Sequence, residues 1–130
     1  MNNLGLPPII QGGMGAAVSS WYLARTVANE GQLGVVSGTA LETVVTRRLQ
    51  NGDEGGHMQE ALAHFPYPEV AEEILAKFYK PEGRQGKPFR PMRRLSLDAH
   101  KEHDQLAVAS NFVEVWLAKQ SGNGKVGINF

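Results

Sequence analysis

The sequence predicts an α/β protein built on a parallel sheet, and three observations carry that prediction. The apolar pair Ile9-Ile10 runs straight into the glycines Gly12 and Gly13. A helical segment then leads within about 30 residues to a second apolar run, Leu33-Gly34-Val35-Val36. A strand, a helix and a strand at that spacing make a βαβ unit, whose strands must be parallel. The chain closes on a third run, Val126-Gly127-Ile128-Asn129-Phe130, which reads as another buried strand.

The elements follow in order. Pro7-Pro8 sets an extended entry, and Ile9-Ile10 makes a short buried strand. Ser19 or Ser20 caps the first helix, whose Trp21, Leu23, Ala24, Val27 and Ala28 share the apolar face. Asn29-Glu30-Gly31 stops it, with Gly31 suited to the left-handed position past a helix end. The second strand ends in Ser37-Gly38-Thr39. Thr39-Ala40-Leu41-Glu42 matches a capping box and opens a second helix, closed by Asn51-Gly52. Met58, Ala61, Leu62 and Phe65 recur at helical spacing, and Pro66 ends that third helix. Pro68 sits at the first turn of a fourth, with Val70, Ala71, Ile74, Leu75 and Phe78 along one stripe. Lys80 to Leu97 is rich in Gly, Pro and Arg and reads as a loop. A longer helix then places Leu106, Ala109, Val113, Trp116 and Leu117 toward a core, and Ser121-Gly122-Asn123-Gly124 ends it.

The path from the second strand to the third is far longer than a crossover requires. A dozen or more residues suffice, whereas this connection runs from Ala40 to Lys125. The last helix is the natural crossover, so residues from about 40 to 98 form a helical insertion in the loop after the second strand. Such loops lie at the carboxyl end of a parallel sheet, where ligands bind. The insertion is therefore a wall or lid of a site, a homodimer contact, or added stabilisation alone.

Composition narrows the function classes. The 130 residues suffice for one domain with a core, and 13 basic residues balance 13 acidic ones. No global field points to nucleic acid or a membrane surface. There is no cysteine, so disulfides, thiolate nucleophiles and thiolate metal sites drop out. No apolar run approaches the roughly 20 residues of a membrane span, and no signal-like start is present. The expectation is a cytoplasmic protein with a small-molecule substrate, no nucleic-acid partner and no membrane. The balance conceals one uneven stretch. Lys80, Arg84, Lys87, Arg90, Arg93 and Arg94 face only Glu82, a local net of +5. That window suits an anion such as a nitronate or a carrier phosphate, a neighbouring subunit, or plain solvation. Phe89 is its one aromatic, too few for a single-strand nucleic-acid platform.

The glycine turn after the first strand carries the clearest chemical signal. Gly12-Gly13-Met14-Gly15 lacks both the G-x-G-x-x-G spacing of dinucleotide sites and the lysine of a P-loop. It is either a tight turn or a surface where bare backbone meets a flat ring system. Met14 can pack on such a ring through its polarizable sulfur, or be ordinary core. His57 and His64, seven apart on one expected helix, and His100 and His103 beside Asp104, have spacings that permit metal ligation. With no third ligand in view, both pairs read as surface histidines and no metal site is expected.

Pro8-Ile9-Ile10-Gln11-Gly12-Gly13-Met14, Asn29 to Val36 and Val126-Gly127-Ile128-Asn129 together resemble the nitronate monooxygenase family, which is similar to the flavin-dependent enoyl reductases of fatty-acid synthesis. The likeness extends over the whole chain, and Gly55-Gly56-His57-Met58 with His64-Phe65-Pro66 is similar to one subgroup. The resemblance implies FMN as cofactor and a (β/α)₈ barrel of which this chain is the N-terminal portion. It implies that Gly12, Gly13 and Met14 lie against the flavin, with Gly38 and Thr39 close to the same face and Asn129 in contact with it. It also implies that the catalytic histidine and the phosphate-binding loops lie beyond Phe130, so no catalytic residue is assigned within these residues. Three functions are then in view: oxidation of alkyl nitronates with dioxygen, enoyl-thioester or NAD(P)H-dependent reduction on the same barrel, and a non-catalytic partial-barrel interaction fragment.

Overall fold

The computed structural model describes residue 5 and residues 7–93, 96–120 and 122–130. Arg94 of the basic window and Ser121 of the last turn lie outside the described residues. The chain is α/β, with three parallel strands in an open sheet and five α-helices among the described residues. Strands β1 (Ile10–Gln11), β2 (Leu33–Ser37) and β3 (Lys125–Asn129) are ordered β1-β2-β3, with helices α1 (Trp21–Asn29) between the first two and α2 (Leu41–Gln50), α3 (His57–Leu62), α4 (Pro68–Phe78) and α5 (Lys101–Lys119) between the last two. In register, Ile10 stands beside Leu33, and Gly34 and Ser37 stand beside Val126 and Asn129. The chain divides into two compact units, residues 1–40 with 114–130 and residues 41–113.

In the first unit, α1 is set close to the sheet by small residues. Ala24 and Ala28 are fully buried. A Cβ on Gly34 would run into the backbone of Ala24, and one on Gly124, just before β3, into that of Ala28, so both positions exclude every side chain. Ser20 precedes α1 in extended backbone, but its side chain makes no capping bond. The Glu114 carboxylate does so instead, accepting from Trp21 N at 2.9 Å. At the other end Gly31 is left-handed (φ 74°). Gly31 N donates to Ala28 O at 3.0 Å and Gln32 N to Val27 O at 3.3 Å, the paired bonds of a Schellman ending. Arg25 closes α5 in a complementary way. Its Nε donates to Leu117 O at 2.7 Å while its guanidinium lies 4.6 Å from the Trp21 ring.

In the second unit, Val45, Leu49, Met58, Leu62, Val70, Ile74, Phe78, Leu106 and Val113 are buried. Asp53, left-handed at φ 50°, caps α3 through both carboxylate oxygens, accepting from Met58 N and Gln59 N at 2.9 Å each. The segment from Tyr79 to His100 contains neither helix nor strand among its described residues. It is anchored where buried Gln50 accepts from Arg90 N at 2.6 Å.

Several expectations are corrected. Ile9 and Ile10 are 60% and 51% exposed, not buried, because β1 is an edge strand two residues long. The third strand runs one residue earlier than expected and leaves Phe130 exposed. Thr39 does not cap α2 in a capping box: Ala40 is left-handed (φ 51°) and the helix starts only at Leu41. Helix α3 ends at Leu62, before Phe65. Phe65 instead packs edge-on against Phe112 with ring centroids 5.2 Å apart.

Candidate functional site

The candidate site is the rim formed by the carboxyl ends of the three strands in the first unit. Gly12, Gly13 and Met14 follow β1, Gly38 and Thr39 follow β2, and Asn129 ends β3. Asn129 joins them. Its carbonyl accepts from Gly38 N at 2.7 Å, and its side-chain amide fills the space where a Cβ on Gly13 would stand. A Cβ on Gly38 would likewise press on the Asn129 carbonyl. Two of the predicted glycines are therefore required by Asn129 itself. Gly12 differs, for among the described residues no atom beyond its chain neighbours lies within 4 Å of its Cβ position. Around that open backbone, Met14 is 49% exposed and Thr39 and Asn129 are exposed as well. Bare backbone, a thioether, a hydroxyl and an amide on one rim suit one face of a flat polar ring system.

Two further residues build this rim: Gln11, read in the sequence only as part of the motif, and Ser19, read there as a candidate cap of α1, whose hydroxyl instead holds the glycine loop. β1 ends at Gln11, yet Val35 of β2 still presents an N–H and a C=O toward that edge. The Gln11 amide takes the place of a peptide group: Val35 N donates to its Oε1 at 3.2 Å, and its Nε2 donates to Val35 O at 3.2 Å. The same Nε2 reaches Gly12 O at 2.6 Å and Ser19 Oγ at 3.1 Å. Buried Ser19 accepts from Met14 N at 2.9 Å and donates to Gly12 O at 3.3 Å. Ser37 N donates to Ser19 O at 2.9 Å. The glycine loop is thus tied to β2 by side chains. A glutamine directly before paired glycines, with a serine eight residues after the glutamine, is the signal that marks this arrangement.

The histidines do not gather. His64 lies beyond the end of α3 and shares no helix with His57. Its Nδ1 is 2.9 Å from Glu60 O. His103 is only 11% exposed at its side chain, 3.9 Å from Asp104, so His103 is not a solvated surface histidine. Among the described residues no group of three or more His, Asp or Glu side chains is placed to hold a metal ion. No helix is long and apolar enough to cross a membrane, among the same residues.

Comparison with known proteins finds no matching family model, no matching curated protein and no matching solved structure.

Proposed function

We propose that this chain is the N-terminal portion of an FMN-dependent oxidoreductase of nitronate monooxygenase type, its three strands being the first of a (β/α)₈ barrel. The observation that supports this reading is the convergence of Gly13, Gly38 and Asn129 at the carboxyl ends of three sequential parallel strands. In such sheets that end is where ligands sit. Bound FMN would supply the electron transfer between an alkyl nitronate and dioxygen. The part of these residues is to hold and orient. Gly12 offers backbone without a side chain, Met14 offers apolar contact, and Thr39 and Asn129 offer hydrogen bonds to ring atoms. The catalytic base and the phosphate-binding groups belong to later strands in this reading.

Riboflavin titration followed by amide NMR tests the rim, since riboflavin keeps the ring and lacks the phosphate. Shifts should cluster at Gly12, Gly13, Met14, Gly38, Thr39 and Asn129, and Gly12→Val should abolish them. Shifts spread evenly over both units would count against the rim. A protein expressed from the complete coding sequence should be yellow and release FMN on denaturation. A colourless preparation would overturn the proposal. Slow anaerobic reduction by NAD(P)H is expected, whereas fast reduction would favour the reductase reading.

A further inference from the structure

We propose that a cavity in the second unit, between α2 and the Phe89–Arg93 segment, binds the phosphoryl group of a small phosphate ester. The cavity measures about 330 Å³ and is lined by Arg47, Arg90, Arg93 and the hydroxyl-bearing Thr43, with Glu42 as its one carboxylate. That volume lies at the low end of small-molecule sites, which favours a small ester over a nucleotide.

Charge is what selects the ligand. Two of the three lining guanidiniums, those of Arg47 and Arg90, are held by neutral groups. Arg47 lies 4.9 Å from the Phe89 ring centroid, and Arg84 lies 3.8 Å from the same centroid. Arg90 donates to the Lys77 carbonyl at 3.2 Å. Among the described residues, no carboxylate forms an ion pair with Arg47, Arg90 or Arg93. Glu102, an acid outside the lining on which the Arg90 charge also acts, is tied to Lys77. Three cations facing one acid repel one another until an anion joins them. A phosphate monoester carries about −1.5 to −2 at neutral pH and offers oxygens to several planar forks at once. A monocarboxylate would leave the excess uncompensated.

The arrangement is also set in advance of binding. The buried Gln50 amide holds Arg90 N at 2.6 Å, and the Thr46 hydroxyl reaches Met92 Sδ at 3.1 Å. The segment carrying two of the arginines is thus fixed to α2 from below, which lowers the ordering cost of binding. Phe89 already carries two guanidiniums, so it is not available as a stacking platform for a base.

Calorimetric titration of the 130-residue chain at low salt, with glycerol 3-phosphate, inorganic phosphate and glycerol, tests the site. Glycerol 3-phosphate should bind one site saturably and glycerol should not bind. Arg93 lies outside every helix and strand, so Arg93→Gln should spare the fold while weakening binding about tenfold, the loss of one charge-assisted contact. Arg47→Lys keeps the charge and loses the fork, and should weaken binding less than Arg47→Gln. Lys101→Gln, on an exposed residue away from the lining, should leave binding unchanged. The proposal is overturned by an absence of saturable binding, by binding of inorganic phosphate alone, or by equal losses in Arg93→Gln and Lys101→Gln.

Discussion

Replacing Gln11 by leucine strips Val35 of the partners for both its N–H and its C=O. At that half-buried position the loss should cost about 1–2 kcal/mol, read as a lower urea midpoint with faster exchange of the Val35 amide. Gln11→Glu keeps an acceptor but turns a carboxylate toward the Val35 and Gly12 carbonyls, so it should be worse at neutral pH than in mild acid. The fully buried Glu114 gives a second test. Glu114→Ala leaves Trp21 N without this acceptor and should cost about 1–3 kcal/mol, whereas Glu114→Gln retains an acceptor and should cost less. Glu102 offers a pH test. Its side-chain bond with Lys77, then the charge of that lysine, holds its carboxyl below the usual carboxylate range. The stabilisation is therefore present at neutral pH and is lost as pH falls through the lowered folded-state value. With 59% of the Glu102 side chain exposed, the effect should be small and screened by salt. Melting temperatures followed into acid should fall less steeply for Glu102→Gln than for the wild type.

Helix α1 shows which features of an element are legible in sequence. Ser20 before it and Gly31 after it mark its limits, because extended backbone and a left-handed residue are demands that local sequence must meet. Its actual N-terminal cap is not legible, since Glu114 stands 93 positions away. The reason for Gly34 is equally hidden, because a glycine in a strand does not reveal which backbone approaches it. Gly34→Ala should force α1 off the sheet and cost about 1–3 kcal/mol or more, the usual penalty of overpacking, measured by denaturant unfolding. The same limit explains β1. Ile9 and Ile10 carry a strand signal in their composition, but their burial depends on what covers an edge. Around the glycine loop, the rim glycines stand out in sequence, whereas the Asn129 side chain that requires Gly13 becomes apparent only when three strand ends are brought together.

At the scale of the whole molecule, the described sheet is open, with α1 packed on it and β1 and β3 as its two edges. Ile10 on β1 and Ile9 just before it are exposed apolar side chains at one edge, and Phe130, past the end of β3, is exposed as well. Concentration-dependent association is the expected outcome, and Ile10→Lys should reduce it, as light scattering over a dilution series would show. The parallel sense of the strands, the connection lengths and the helical stretch between β2 and β3 follow from spacing in the sequence; the exposure of the edges does not, because it belongs to the sheet as a whole. The Gln11 amide has a kinetic consequence there. A main-chain rung opens only when its strand lifts away, but a rung supplied by a side chain opens with a change of rotamer that leaves the strand in place. Any extended peptide that brings its own amide to Val35 has one glutamine to displace before it can zip along β2. This makes the β1 side of the sheet the place where strand invasion should begin.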